Sequence, residues 1–295
     1  MNRFLLGLFC ALSMSAAHAD IAVTDDSGAT LRIAAPARRI VSLAPHITEA
    51  LFAAGAGEWV VGAVEYSDYP EGANAIRRVG GYTRVDLEAV IALKPDLVIG
   101  WQSGNEAAQM ERLKAFGVPI YLTQPNRIED IAHSIEDYGR LAGTKAAASA
   151  AAQRFRARLG QLRERAEGRP AVRVFYQAWK NPLTTVSGKQ IISDAIRLCG
   201  GVNVFADLAG LAPNVSVEAV LTADPEAIVA SGMGEQRPEW LDDWRRWTQM
   251  SAVVHDNLFF IPPDLIQRHT PRLLDGIERL CALLETARGR RGKPH

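Results

Sequence analysis

Cysteine is scarce in this sequence, with three among 295 residues, and no two of them form a Cys-x-x-Cys pair. That excludes zinc ribbons and thioredoxin-like redox sites. Gly-x-Ser-x-Gly, His-Glu-x-x-His and Gly-x-Gly-x-x-Gly are missing, so no hydrolase elbow, zinc protease helix or dinucleotide fingerprint is present. Ser187-Gly188-Lys189-Gln190 approaches the end of a phosphate loop but fails it, because Leu183 stands where a glycine is required and Gln190 where a hydroxyl is. An excess of either charge is also absent: Lys plus Arg and Asp plus Glu both number 33. A charge-balanced chain lacks the basic surplus of a nucleic-acid binder. Hydrophobic residues make up 48% and charged residues 22%, which argues for a globular chain and against disorder.

What is present begins with a targeting segment. Asn2-Arg3 is a short positive start, Phe4 to Leu12 is an apolar run, and Ala17-His18-Ala19 is a small-x-small cleavage site. Together they predict a signal peptide over residues 1–19. The run is shorter than the roughly 20 residues of a membrane span, and no later charge-free segment reaches that length. Cys10 is preceded by Phe9, where a lipobox needs a small residue. Cleavage leaves Cys199 and Cys281. In an oxidising compartment an isolated pair is expected to bridge, the alternative being two separate buried thiols. So long a loop gives about 4–5 kcal/mol in the chain-entropy model.

The remaining chain reads as two related halves. Arg39–Leu43, Trp59–Val64, Leu97–Gly100 and Ile120–Leu122 read as strands. Helical stretches alternate with them: Thr48 to Ala54, Leu87 to Leu93 and Met110 to Phe116. Alternation of this kind predicts a mostly parallel sheet. The second half restarts with a strand at Val172–Gln177 and a helix at Ile191–Leu198. At an offset of 130, Leu87-Glu88-Ala89-Val90-Ile91 matches Val217-Glu218-Ala219-Val220-Leu221, and Pro95 matches Pro225. Thr48-Glu49-Ala50 and Ser193-Asp194-Ala195 are expected to start comparable helices. The fold class predicted is α/β: two similar lobes, residues 20–144 and 169–295, each a mostly parallel sheet flanked by helices. Residues 145–168 lie between them. Lys145 to Glu167 is rich in Ala, Arg, Gln and Leu without proline, so it predicts one long stiff helix of about 35 Å.

Aromatic residues cluster where a ligand is expected. Open α/β sheets bind ligands beyond the carboxyl ends of their strands. Tyr66, Tyr82 and Trp101 fall in such loops of the first half, and Trp179, Asp264 and Arg268 in the second. Flat rings with polar tips suit a large, part-polar ligand, although each ring would also serve to pack its own lobe. Asp264 and Arg268 either reach amides of a ligand or pair with each other. Trp240, Trp244 and Trp247 share one helical face and read as packing. The histidines are scattered: His46, in a loop before a helix, either lines a cleft or binds a metal or is a structural or rim residue, and His269 either reaches a ligand beside Arg268 or lies in a solvated loop. Neither a nucleophile–base pair nor a metal cluster is found, so no catalytic or metal-binding residue is assigned. A secreted enzyme on this scaffold is the reading of another class, which a chemically altered ligand would reveal.

Several phrases carry a resemblance: Ser42-Leu43-Ala44-Pro45, Thr48-Glu49, Tyr66-Ser67-Asp68-Tyr69-Pro70, Ala92-Leu93-Lys94-Pro95-Asp96-Leu97-Val98, Cys199-Gly200-Gly201 and Pro271-Arg272. From about Arg39 to Leu284 the chain resembles the periplasmic cobalamin-binding proteins of ABC importers, a family of solute-binding proteins with a helical backbone between lobes. The resemblance implies a non-enzymatic, periplasmic protein, monomeric when free and without a resident cofactor. Its cargo would be cobalamin or a related corrinoid and its partner the membrane permease. Position by position it implies that Tyr66, Tyr82 and Trp101 contact the corrin, Tyr82 standing where the family has tryptophan. Asp264 and Arg268 would meet corrin amides, and Glu88 and Glu218 would dock on the permease, one from each lobe. Cys199 and Cys281 would form the family disulfide. Two aromatic positions of the second lobe are lost, at Ala212 and near Thr185, unless Trp179 substitutes. Haem and ferric-siderophore binders share the Ala-Leu-Lys-Pro-Asp-Leu-Val phrase and are the alternative of the same fold.

Overall fold

The computed structural model describes residues 20–232, 234 and 236–291. The expected signal peptide lies outside the described residues. The described residues begin with an antiparallel hairpin, β1 (Ile21–Thr24) and β2 (Thr30–Ile33). Asp25 closes its turn by accepting from Ser27 and Ala29, and fastens it to the first lobe by accepting from the Leu122 amide at 3.1 Å.

The first lobe follows as β3 (Ile40–Ser42), α1 (Pro45–Ala53), β4 (Val60–Ala63), β5 (Arg77–Arg78), α2 (Leu87–Ala92), β6 (Leu97–Trp101), α3 (Ala107–Ala115), β7 (Ile120–Thr123) and α4 (Asp130–Ala142). Its five strands are all parallel, in the order β5-β4-β3-β6-β7. Then α5 (Lys145–Ala166) runs as one unbroken helix of 22 residues, as its composition predicts. The second lobe comprises β8 (Val172–Gln177), α6 (Ile191–Leu198), β9 (Gly201–Asn203), α7 (Val217–Ala223), β10 (Ala227–Ala230), α8 (Ser251–Val254), β11 (Leu258–Phe260), α9 (Pro263–Ile266) and α10 (Leu273–Arg290). Its four strands are again all parallel, in the order β11-β10-β8-β9.

That order repeats the β7-β6-β3-β4 arrangement of the first lobe, and the likeness extends to single residues. Asp86 and Ser216, 130 apart, cap α2 and α7 by accepting from the amides of Ala89 and Ala219. Lys94 and Asp224, at the same offset, both have positive φ, 45° and 37°. Arg39 of the first lobe donates to the Leu93 carbonyl at 2.7 Å, and Arg173 of the second to the Ala223 carbonyl at 2.5 Å. Each guanidinium thereby satisfies a carbonyl that the end of a helix leaves unpaired.

One apolar cluster joins the lobes. It runs from Ile40, Ile47, Tyr121 and Tyr138 through Phe155 and Leu159 of α5 to Val174, Ile196 and Ile277. Separate clusters cover the outer face of each sheet, around Val98 and Leu113 in one and Phe175 and Trp244 in the other. Cys199 and Cys281 are joined by a disulfide that ties the end of α6 to α10.

Three local readings are corrected. α1 begins at Pro45, where proline needs no amide partner, so Thr48 is not at its start. Thr48 and Ser193 lie inside their helices, and their hydroxyls bond to Ser42 Oγ at 2.8 Å and to the Ser187 carbonyl at 2.7 Å. The tryptophan segment Glu239–Arg246 is a 3-10 helix, in which Trp244 is buried and donates to Gln177 at 2.7 Å. Its packing role stands.

Candidate functional site

Because every strand in both sheets runs the same way, all carboxyl ends of a sheet share one edge. Tyr66 follows β4, Tyr82 follows β5, Trp101 ends β6, Trp179 follows β8, and Asp264 and Arg268 follow β11. The loops of the two lobes face each other across a cleft. A cavity of about 320 Å³ there is lined by Trp101, Ser103 and Gln124 from one lobe and Ala178, Ile191 and His269 from the other. A wider region of about 740 Å³ shares Ser103, Gln124, Asn126 and Leu211 with it and adds Lys189. Cavities of a few hundred to a thousand cubic ångströms suit organic ligands.

The first lobe contributes a fixed aromatic wall. Tyr82 and Trp101 lie with ring centroids 5.7 Å apart. Buried Asn105 holds both loops: its amide nitrogen donates to the carbonyls of Leu43 and Tyr82, and its oxygen accepts from the Trp101 amide at 2.6 Å. Trp101 lies directly over Gly104, where an added Cβ would fall 1.9 Å from the indole. Only glycine leaves that space. Tyr66 stands apart, 71% exposed, with φ of 62°. A bulky residue in the left-handed region is strained by about 1–2 kcal/mol. Trp179 is 37% exposed at the opposite rim, its backbone bridged to Thr184. The structure therefore brings Tyr82 and Trp101 together and leaves Tyr66 and Trp179 as separate rim residues.

Asp264 and Arg268 pair with each other at 3.1 Å. Arg268 also crosses the cleft to Asp68 at 2.7 Å. Burial pushes the Asp68 carboxyl up, but the hydrogen bond and charge of Arg268 outweigh it and hold it below its ordinary value. Arg272 makes a second crossing, bidentate to buried Glu49 at 2.7 and 2.8 Å, and stacks over Tyr69. Glu88 and Glu218 are exposed in the first turns of α2 and α7.

The structure narrows the histidine readings. His46 is the second residue of α1, inside the helix and not in a loop before it, and His269 is buried and not in a solvated loop; they are 6% and 7% exposed. Their ring centroids lie 5.3 Å apart across the two lobes. Desolvation pushes His269 down to about 4. Desolvation, then His269 and Arg268, hold His46 well below its ordinary value. No sequence pattern marks this pair, because the two residues meet only when the lobes face each other.

Two facing α/β lobes, a helical connection and a cleft between strand ends define a bilobal binding protein. The chain belongs to the periplasmic binding protein family, whose model matches residues 40–265. A vitamin B12-binding protein of Vibrio parahaemolyticus is 39% identical over 87% of this chain and 92% of its own length. Another, from Yersinia pestis, is 34% identical over 83% and 85%. The crystal structure of the periplasmic vitamin B12-binding protein BtuF of Vibrio cholerae superposes with a TM-score of 0.79 at 37% identity, covering 86% of this chain and 98% of that one. A periplasmic heme-binding protein from Roseiflexus shares the fold, with a TM-score of 0.73 at 22% identity over 85% and 99% of the two chains.

Proposed function

We propose that this protein binds cobalamin or a related corrinoid reversibly in the periplasm, between its two lobes, and delivers it to the permease of an ABC importer. Kinship to vitamin B12-binding proteins over nearly the whole chain carries the reading. The paired rings of Tyr82 and Trp101 offer the apolar wall that a corrin edge needs, with Tyr66 and Trp179 at the two rims. Asp264 and Arg268 supply polar groups beside it, and Arg268 exchanges part of its bonding with Asp68 for ligand amides. Glu88 and Glu218 sit at matching places on the two lobes and dock on the permease together. In this reading the protein is a monomer when free, and the lobes at residues 20–144 and 169–295, held by the stiff helix at 145–168, move little on binding. Affinity comes from apolar contact and a few amide hydrogen bonds, with no chemical change in the ligand.

The ion pairs weigh against a catecholate siderophore, since Arg268 and Arg272 already hold carboxylates. Calorimetric titration with cyanocobalamin, with haem and a ferric siderophore in parallel, tests the reading. One-to-one binding of cyanocobalamin, weakened at least tenfold in Trp101→Ala and Tyr66→Ala, is expected. Binding of haem with a Soret shift and no heat with cyanocobalamin would replace it.

A further inference from the structure

Four buried polar atoms where the lobes meet have no hydrogen-bond partner among the described residues: His46 Nε2, Trp101 Nε1, His269 Nδ1 and Thr270 Oγ1. Three of them belong to one triangle of rings. The centroids of His46 and Trp101 are 5.1 Å apart, those of His46 and His269 5.3 Å, and those of Trp101 and His269 6.3 Å. Thr270 is the chain neighbour of His269. Unpaired buried polar atoms are uncommon and each costs about 1–3 kcal/mol, so four at one place call for an explanation. Trp101 and His269 also line the cavity between the lobes, so a ligand there sits against two of the three rings and meets the buried polar atoms once those rings shift.

We propose that His46, His269, Trp101 and Thr270 form an uncharged hydrogen-bonding floor that receives a primary carboxamide of the ligand. The inference rests on the corrinoid reading and names the part of the ligand recognised at the base of the cleft. Its chemistry follows from the groups present. A neutral imidazole offers one N–H and one lone pair, the indole offers an N–H, and the hydroxyl offers both. A carboxamide carries two N–H donors and a carbonyl acceptor, so it matches this mixture. A carboxylate has acceptors only and leaves imidazole lone pairs unpaired unless a ring takes up a proton. A free metal dication is disfavoured by the guanidinium of Arg268 beside His46, and among the described residues no cluster of three His, Cys, Asp or Glu accompanies the pair.

The test uses the full mature protein with cyanocobalamin and its monocarboxylic acids, each with one side-chain amide hydrolysed, at neutral pH. Wild type is expected to prefer cyanocobalamin over at least one monoacid by about tenfold, the worth of one good hydrogen bond. His269→Leu and His46→Leu are expected to weaken cyanocobalamin binding about tenfold and erase that preference. His269→Asn, which keeps a donor and an acceptor, restores part of both. The ligand-free Leu variants are expected to melt no lower than wild type, because they remove unpaired polar atoms. Equal binding of all monoacids by wild type, or unchanged cyanocobalamin affinity in both Leu variants, overturns the floor while leaving corrinoid binding intact. A change in the visible spectrum of bound aquocobinamide that disappears in a Leu variant means coordination of cobalt, and overturns it too. Failure of wild type to bind cyanocobalamin at all sinks the corrinoid reading itself.

Discussion

Single residues set how the cleft responds to acid and how its wall is held. His46 and His269 ionise near 6.5 when solvated. In the closed cleft burial lowers both, His269 to about 4. The compact form therefore binds fewer protons than the unfolded one. Its stability is fully present above 6.5 and is lost as the pH falls from there toward 4. The guanidinium of Arg268, paired with Asp68 and Asp264, is the charge that faces His46 and helps to lower it. Thermal unfolding followed from about pH 8 down to about pH 5 should show the midpoint falling below 6.5, and His46→Leu with His269→Leu should flatten the fall. An equally steep fall in the double variant would assign it elsewhere. Gly104 makes a different demand. A methyl there collides with the middle of the Trp101 ring, not with a flexible tip. Gly104→Ala is expected to turn the indole out of the wall and weaken cyanocobalamin by an order of magnitude or more, approaching the effect of Trp101→Ala in the same titration. The fold should survive, since Gly104 lies in a turn outside every helix and strand.

At the scale of elements the two lobes reuse one unit. A capped helix, a residue of positive φ, a proline and a buried strand recur 130 residues apart, and in each unit an arginine at the start of the first strand, Arg39 just before β3 and Arg173 in β8, closes the helix end. The caps Asp86 and Ser216 fix the first turns on which Glu88 and Glu218 stand, so the carboxylates project from matched, rigid positions. Glu88→Arg and Glu218→Arg should each impair uptake of cyanocobalamin by vesicles containing the permease, and the double reversal should abolish it, with binding in solution unchanged. Uptake at the wild-type rate in the double variant would end the docking assignment. The repeated unit was legible in the sequence because helix, proline and buried strand leave a periodic trace; α6 and β8 were read to the residue. The hairpin β1–β2 was not, since two four-residue strands with partial burial leave almost no pattern. The start of α1 was misplaced because Thr48, read as opening the helix, stands within it and bonds through its hydroxyl to Ser42 and Ser67. The paired rings Tyr82 and Trp101 were legible as loop aromatics after strands, but the contacts of His46, Glu49 and Asp68 with the second lobe were not. They join residues about 200 or more apart, and no local rule records such a meeting.

The whole molecule resists opening. α5 is bound to α4 by the bidentate pair of Arg156 and Glu136, and to α10 by Arg158 with Asp275 and Glu278. The apolar cluster passes through it from lobe to lobe. On the cleft side α1 and the segment before α10 run together: His46 meets His269, and three residues further along both segments Glu49 meets Arg272. A backbone amide of one lobe, Ile128, reaches Asp194 of the other at 3.1 Å. Domains joined through a shared core move less than domains joined by a loose linker. X-ray scattering curves of the protein with and without cyanocobalamin should therefore superimpose closely. Arg272→Ala removes one crossing and leaves Glu49 buried and unpaired, a loss of about 3–5 kcal/mol for such a charge. That variant should unfold at lower temperature and, without ligand, scatter as a more extended particle that ligand returns to the wild-type curve. A variant that loses stability yet scatters as wild type would show that the shared core and α5 hold the lobes together and that the ion pair serves only to neutralise Glu49. A wild-type protein that contracts strongly on binding would place the hinge in α5 itself, against the continuous helix and core that join the lobes.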